Sequence, residues 1–331
     1  MSKPEQLDSY KEKIVQSDFP EKIRNSIKRK IIGKNDIIDK LIISILSKGH
    51  VFLEGVPGLA KTQIVKTLAE SINVKFQRIQ FTPDLLPADI LGTLIYNQSN
   101  NNFEIKKGPI FSNIILADEI NRAPAKVQSA LLEVMQEEQV SIGKETYLLD
   151  EPFLVLATQN PIEQEGTYQL PEAQIDRFMF KLLIDYPNED EEYQILNRFT
   201  TTNIEKESLS IIDKNEILEA RKIVNQVHIA ENIKKYIVSL VLSTRFPEKN
   251  NLKELNQLIN YGASPRATIF LSIAAKAQAF LKKRSFVIPD DIREVGKSIL
   301  RHRIILSYEA EAENISSDDI IDKIFSSIAT P

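Results

Sequence analysis

Gly55-Val56-Pro57-Gly58-Leu59-Ala60-Lys61-Thr62 stands directly after the apolar run Val51-Phe52-Leu53. A buried strand that empties into a glycine-containing loop and then a helix is the layout of a phosphate-binding loop. Glycines let the backbone curl so that successive N–H groups point inward at an anion, and the helix N-terminus adds its partial positive charge. In that layout Lys61 reaches the β- and γ-phosphates of ATP or GTP, and Thr62 sets its hydroxyl on Mg²⁺. The position before the lysine, usually glycine, is Ala60 here. A backbone already near-helical at that point accepts alanine at little cost. The competing reading of the stretch is a Gly/Pro turn before an ordinary surface lysine.

Downstream residues favour the first reading. The run Ile114-Ile115-Leu116-Ala117 ends in Asp118-Glu119. A continuous apolar run suits a strand buried on both faces of a parallel sheet, and acidic residues at its carboxyl end lie where such sheets bind ligands. Asp118 is assigned to the Mg²⁺ shell through water, and Glu119 to orienting or deprotonating an attacking water. Alone, the acidic pair also reads as a helix cap or a solvated turn. A third run, Phe153-Leu154-Val155-Leu156-Ala157, ends in Thr158-Gln159-Asn160-Pro161, and Asn160 is the chosen polar contact to a γ-phosphate or lytic water. After Leu170-Pro171-Glu172-Ala173-Gln174-Ile175-Asp176-Arg177-Phe178 comes a further strand-like run, Met179 to Ile184. Farther on, Ser264 fits a helix cap, Pro265 the first helical position and Arg266 the first turn. An arginine at a positive helix end is locally unfavourable, which implies an anion nearby such as a nucleotide phosphate.

Composition sets bounds. The 331 residues suffice for two cores. Lys+Arg 42 against Asp+Glu 46 gives a net charge of −4, so no global positive field gathers nucleic acid. The local clusters Arg24, Lys28, Arg29, Lys30 and Lys282, Lys283, Arg284 read as solvated helix faces or contacts between subunits. Cysteine is absent, which excludes disulfides and thiolate metal sites and suits a reducing cytoplasm. His50, His228 and His302 share no ligand spacing and read as structural. No run is long and apolar enough to span a membrane, and the polar start lacks a signal-peptide core, so the expected location is cytoplasmic.

Three segments are expected: a helical lead-in over 1–30, an α/β nucleotide-binding domain over 31–185, and a helical domain over 186–331. Strand-like and helical runs alternate in the second, and 3.6-residue periodicity dominates the third. There Ile217, Ala220, Val224 and Val227 share one helical face, and Ile233, Ile237, Leu240 and Val241 another. The boundary is placed at Tyr186-Pro187-Asn188-Glu189-Asp190-Glu191-Glu192. Two strand-like runs around Asn97-Gln98-Ser99-Asn100-Asn101-Asn102 predict a β-hairpin insert, and residues 140–149 predict a second.

In these motifs the chain resembles the MoxR-type AAA+ ATPases from about Ile32 to about Ile304. The resemblance rests on the Ala60-containing loop, Gln80-Phe81-Thr82-Pro83-Asp84-Leu85-Leu86-Pro87-Ala88-Asp89-Ile90, Ala117-Asp118-Glu119-Ile120-Asn121-Arg122-Ala123-Pro124, Ala157-Thr158-Gln159-Asn160-Pro161, the 170–178 segment, and Gly262-Ala263-Ser264-Pro265-Arg266-Ala267. Ala60 is that family's own usual residue. The resemblance implies a P-loop AAA+ parallel sheet flanked by helices, followed by a smaller all-helical lid. It implies ATP and Mg²⁺ as cofactors, Asn160 as first sensor, Arg177 as a finger completing the neighbouring subunit's site, and Arg266 as second sensor in cis or trans. Ile32-Gly33 matches the segment packed near adenine. It further implies a homo-oligomeric ring, six subunits by family expectation, and a protein client remodelled or matured in a chaperone-like way. A partner with a von Willebrand factor A domain and a role in metal-cofactor insertion or complex assembly belong to the same expectation. Rival readings are a nucleic-acid motor, a chelatase-type subunit and a non-hydrolysing switch. The insert tips offer only Lys144 to a nucleic acid, and Glu119, Asn160 and Arg177 are intact.

The loop assignment predicts that Lys61→Ala abolishes nucleotide binding, measured with a fluorescent ATP analogue. Retained tight binding would overturn it.

Overall fold

The computed structural model describes residues 12–28, 31–56, 58–59, 61–99, 101–160, 166–200 and 212–331. Pro57 and Ala60 of the loop, Asn100 of the insert, Pro161, Arg29, Lys30 and residues 1–11 of the lead-in lie outside the described residues. The chain divides into two compact units. The first takes in Glu21–Gln174 and Leu182–Ile217; the second takes in residues 12–20, Ile175–Lys181 and Leu218–Pro331.

A helical stretch α1 (12–16) is followed by α2 (Phe19–Lys28), α3 (Asn35–Leu46), β1 (Val51–Gly55), α4 (Lys61–Ile72) and β2 (Phe76–Gln80). Next come α5 (Pro87–Leu91), β3 (Gly92–Asn97), β4 (Asn102–Lys107), β5 (Ile114–Asp118), α6 (Ala125–Glu137), β6 (Gln139–Ile142), β7 (Glu145–Leu148) and β8 (Leu154–Gln159). The short α7 (Glu172–Ile175), β9 (Phe180–Ile184) and α8 (Glu189–Phe199) follow.

Five strands form one sheet in the order β2-β5-β8-β1-β9, with β2, β5, β8 and β1 paired parallel. The unbroken apolar runs occupy the interior: every residue of β5 is buried, as are Val51, Phe52 and Leu53 of β1. Each buries its side chains on both faces, which a half-solvated strand does not require. The edge strand β2 differs, since Gln77, Arg78 and Gln80 are exposed. Helix α3 is buried along almost its whole length through Ile37, Ile38, Leu41, Ile42, Ile43 and Ile45. The sheet order brings the carboxyl ends of β1, β5 and β8 side by side, where open α/β sheets bind their ligands.

Both predicted hairpins are present. Strands β3 and β4 pair antiparallel with Leu94 opposite Ile105 and Tyr96 opposite Phe103. The pair β6–β7 turns at Gly143-Lys144. The first hairpin is entered from α5 and left through a single 3₁₀ turn, Pro109–Phe111, so it stands between short helical pieces.

The second unit is built mainly from α9 (Lys214–Asn225), α10 (Glu231–Ser243), α11 (Pro265–Leu281), α12 (Pro289–Leu300), α13 (Tyr308–Ala312) and α14 (Ser317–Ser327). Both anticipated apolar faces are buried, from Ile217 to Val227 and from Ile233 to Val241. A two-stranded pair, β10 (Ile259–Tyr261) with β11 (Ile305–Leu306), adds a small β element to this helical unit. The segment at Tyr186, chosen from sequence as a boundary, lies inside the first unit, where Lys34 Nζ donates to the Asp185 and Tyr186 carbonyls at 2.9 and 3.2 Å.

The basic clusters correct one expectation. Arg284 does not lie on a solvated face: its Nη1 donates to Oδ2 of the fully buried Asp291 at 2.8 Å. Arg24 pairs with Asp39 at 2.7 Å, and Lys282 with Glu294. These charges are compensated within the chain. Among the described residues no helix is long and apolar enough to cross a membrane.

His50 ties the sheet to α6. Its buried ring donates from Nε2 to Met135 O at 2.9 Å and accepts at Nδ1 from Val155 N–H at 3.0 Å. Only the neutral ring satisfies both bonds, and burial lowers its pKa from 6.5 to about 4. The unfolded chain takes up this proton below pH 6.5 and the folded chain does not, so stability falls as pH drops from 6.5 towards 4, by up to about 1.4 kcal/mol per unit. His50→Gln is therefore expected to flatten the pH dependence of the denaturant midpoint in that window. An unchanged slope would assign the effect elsewhere.

Candidate nucleotide-binding site

The loop after β1 is shaped by two close constraints. A Cβ added at Gly55 would lie 2.6 Å from the Ile184 carbonyl oxygen, so glycine allows β1 to end against β9. Gly58 has φ +86 with open space around it, so backbone conformation rather than crowding demands glycine there. Lys61 opens α4 and folds back to donate from Nζ to Gly55 O at 2.6 Å. Thr62 follows it in the first turn, and Val56 and Leu59 belong to the same loop. Beside the loop is a cavity of about 200 Å³ with Ile31, Ile32, Leu59, Ile64, Pro187 and Ile195 among its walls. An apolar slot next to a glycine-shaped turn that leads into a helix N-terminus suits a nucleotide, with the base in the slot and the phosphates at the helix start. Ile32 is in that wall. Gly33 is covered by the Glu191 side chain of α8.

At the end of β5, Asp118 accepts a hydrogen bond at Oδ1 from Thr158 Oγ1 at 2.5 Å. Its Oδ2 accepts from Arg78 Nε at 2.9 Å and Nη2 at 2.5 Å. Glu119 is in the left-handed region at φ 56, and its N–H donates to Thr158 Oγ1 at 2.9 Å. One hydroxyl thus accepts from Glu119 and donates to Asp118, locking the acidic pair to β8. The Glu119 carboxylate accepts from Gln80 Nε2 at 2.8 Å and pairs with Arg122 Nε at 3.1 Å. Gln80 in turn accepts from Arg78 at 2.8 Å. Asn160 is buried just beyond the end of β8. Among the described residues no group of three or more His, Cys, Asp or Glu side chains is placed to hold a metal. Mg²⁺ does not need one: it typically takes one or two carboxylates, phosphate oxygens and waters, and Asp118 offers one carboxylate at the end of β5.

The sequence motifs do not single out Arg78, Gln80 or Thr158, which the structure gathers around the acidic pair. In sequence Arg78 and Gln80 are only polar residues two apart in a short strand-like run, and Thr158 stands two residues before Asn160 at the same strand end.

The two arginines expected at the site belong to the second unit. Ser264 caps α11, accepting from Arg266 N–H at 3.2 Å. The anion near Arg266 is a carboxylate of this chain: Nη1 lies 3.2 Å from Asp176 Oδ2, and Ser264 Oγ donates to the same group. Arg177 follows Asp176 directly in the turn after α7. Asp176 also meets Arg303, whose Nε donates to Oδ1 at 2.8 Å. Burial lowers the Arg303 pKa to about 10, opposed by the Asp176 charge.

The chain is similar to known proteins over nearly its whole length. The family described as "ATPase family associated with various cellular activities (AAA)" matches residues 50–180, and the AAA lid domain matches 253–324. "Chaperone MoxR1" of Mycobacterium tuberculosis is 46% identical over 305 residues, covering 92% of this chain and 80% of its own length. "Uncharacterized protein YeaC" of Bacillus subtilis is 45% identical over 305 residues, 92% of each chain. A crystal structure from Cytophaga hutchinsonii, provisionally described as an ATPase, is 52% identical with a TM-score of 0.89, covering 99% of this chain and 98% of that one.

The double role of the Thr158 hydroxyl predicts that Thr158→Val lowers stability by about 1–3 kcal/mol, because a buried carboxylate oxygen and a part-buried N–H lose their partner. The urea midpoint measures this; an unchanged midpoint would remove Thr158 from the network.

Proposed function

The chain belongs to the MoxR-type AAA+ ATPase family, and from that premise we propose that it binds Mg²⁺-ATP on the 55–62 loop, hydrolyses it at interfaces between copies of itself, and uses the cycle to remodel or mature a protein client. The observation that carries this reading is the convergence of the glycine-shaped loop, Lys61 and the Thr158-locked Asp118–Glu119 pair at adjacent strand ends.

Mg²⁺-ATP supplies the transferable phosphoryl group and the cation that neutralises its developing charge. Lys61 exchanges its bond to Gly55 O for a phosphate oxygen. Asp118 and Thr62 would hold the cation. Glu119, anchored through its own N–H, orients the attacking water or takes its proton, and Asn160 fixes the water or the γ-phosphate from the other side. Ile32 and its neighbours exclude water from the base. Arg177 is assigned to the neighbouring subunit's site, where an inserted guanidinium stabilises the transferring phosphoryl group. Arg266 is assigned to the phosphates, at the cost of its pairing with Asp176. Six subunits and a partner bearing a von Willebrand factor A domain remain part of the proposal.

A protein client is favoured over nucleic acid by the insert. The register of β3 and β4 puts Leu94, Tyr96, Phe103 and Ile105 on one face of the hairpin, with Leu94, Tyr96 and Phe103 exposed. The chaperone name carried by the M. tuberculosis relative agrees with this.

Arg177→Ala is expected to bind ATP normally and to turn over slower by on the order of 10³-fold. Mixing it with Glu119→Gln is expected to restore activity through composite interfaces. If no mixing ratio recovers turnover, the trans role of Arg177 is wrong.

A further inference from the structure

Arg303 lies in none of the motifs that mark the site, yet its guanidinium is spent almost entirely on the turn that carries Arg177. The side chain is 0% exposed. Nε donates to Asp176 Oδ1 at 2.8 Å; Nη2 donates to the carbonyls of Asp176 at 2.8 Å and Phe178 at 2.6 Å; Nη1 donates to Met179 O at 3.2 Å and to Ile299 O. The neighbouring His302 adds Nε2 against Phe178 O at 3.1 Å, and the Phe270 ring packs 5.1 Å from the guanidinium. Both clasping residues come directly after α12.

Burying a guanidinium is costly, and apolar packing holds a turn more cheaply. What a rigid planar fork adds is direction: it reads several oxygens at fixed angles at once, which a lysine ammonium cannot. Here those oxygens belong to Asp176, Phe178 and Met179, on both sides of Arg177. That residue is only partly buried, so its side chain is presented from a backbone that is itself held.

We propose that Arg303 is a positioning residue for hydrolysis, fixing the backbone of residues 176–179 so that Arg177 is presented in one orientation to the neighbouring subunit. The proposal rests on the reading of Arg177 as a finger that acts in trans.

The test uses full-length Arg303→Lys and Arg303→Met. The lysine keeps a cation for Asp176 but loses the fork; the methionine removes the buried charge while keeping length. Both are expected to bind a fluorescent ATP analogue within about twofold of the parent, with KM little changed and kcat lowered by about 10²-fold in the methionine variant and less in the lysine variant. Amide exchange in residues 175–181 is expected to quicken in both, without nucleotide. Either variant mixed with Glu119→Gln should recover turnover, because the variant supplies an intact hydrolytic site and its partner an intact finger. Mixed with Arg177→Ala it should not. The control mixture of Arg177→Ala with Glu119→Gln separates the two claims. If the control recovers and the Arg303 mixtures do not, this proposal falls alone. If the control fails as well, the trans reading of Arg177 falls and takes the proposal with it. Loss of nucleotide binding together with a lower unfolding midpoint in both variants would make Arg303 a packing residue, and unchanged kcat with unchanged exchange would also overturn the proposal.

Discussion

The dependence of the site on one physical constraint begins inside β5. All five of its residues are buried, so a charge can appear on this strand only at its carboxyl end, and even there Asp118 keeps a side chain only 12% exposed. A carboxylate in that position must be compensated by its surroundings. The neighbouring strands supply what is needed, β8 through Thr158 and β2 through Arg78. Thr158 is available because β8 pairs with β5 in parallel, with Ala117 opposite Ala157, so both strands end on the same edge of the sheet. Register therefore sets the geometry of the acidic pair, and the loop after β1 is drawn to the same edge by its pairing with β8.

Much of this was legible in the chain, and for identifiable reasons. Continuous apolar runs reported the interior strands because a parallel sheet covered on both faces needs them. Ser264-Pro265 reported the start of α11 because capping is local, and the bond from Arg266 N–H to Ser264 Oγ closes over two residues. Long-range partners left no such trace. Arg78 and Asp118 are 40 residues apart, and Asp176 and Arg303 are 127 apart. Only the fold joins them. The helix start at Arg266 calls for an anion, such as a nucleotide phosphate, and the one the structure places there is Asp176, since local helix electrostatics specify a sign and not a source. Arg284 reads in sequence as a solvated face or a contact between subunits because its cluster is evident there, whereas the burial of Asp291 opposite it is not.

The charged residues expected to meet nucleotide, metal or water share a further property. Lys61 is bonded to Gly55 O, Asp118 to Arg78, Glu119 to Gln80 and Arg122, and Arg266 to Asp176. Each interaction has to be exchanged before that group can serve the proposed chemistry. The free energy of binding is then the difference between two sets of polar contacts, and the compensated side chains need not wait in a costly, unpaired state. The partners differ in how readily they let go. Arg78 and Arg266 are 50% and 42% exposed at their side chains, so water can take over when they release. Arg303 is fully buried, and removing its partner would strand a charge, so it can hold but not exchange. Asp176 stands between the two kinds, sharing one carboxylate between an arginine that can leave and one that cannot. Loss of Arg266 to a phosphate would leave Asp176 still paired, and the turn bearing Arg177 still held. On the proposed role of Arg266, that division would let one carboxylate give up a contact without loosening the backbone beside it.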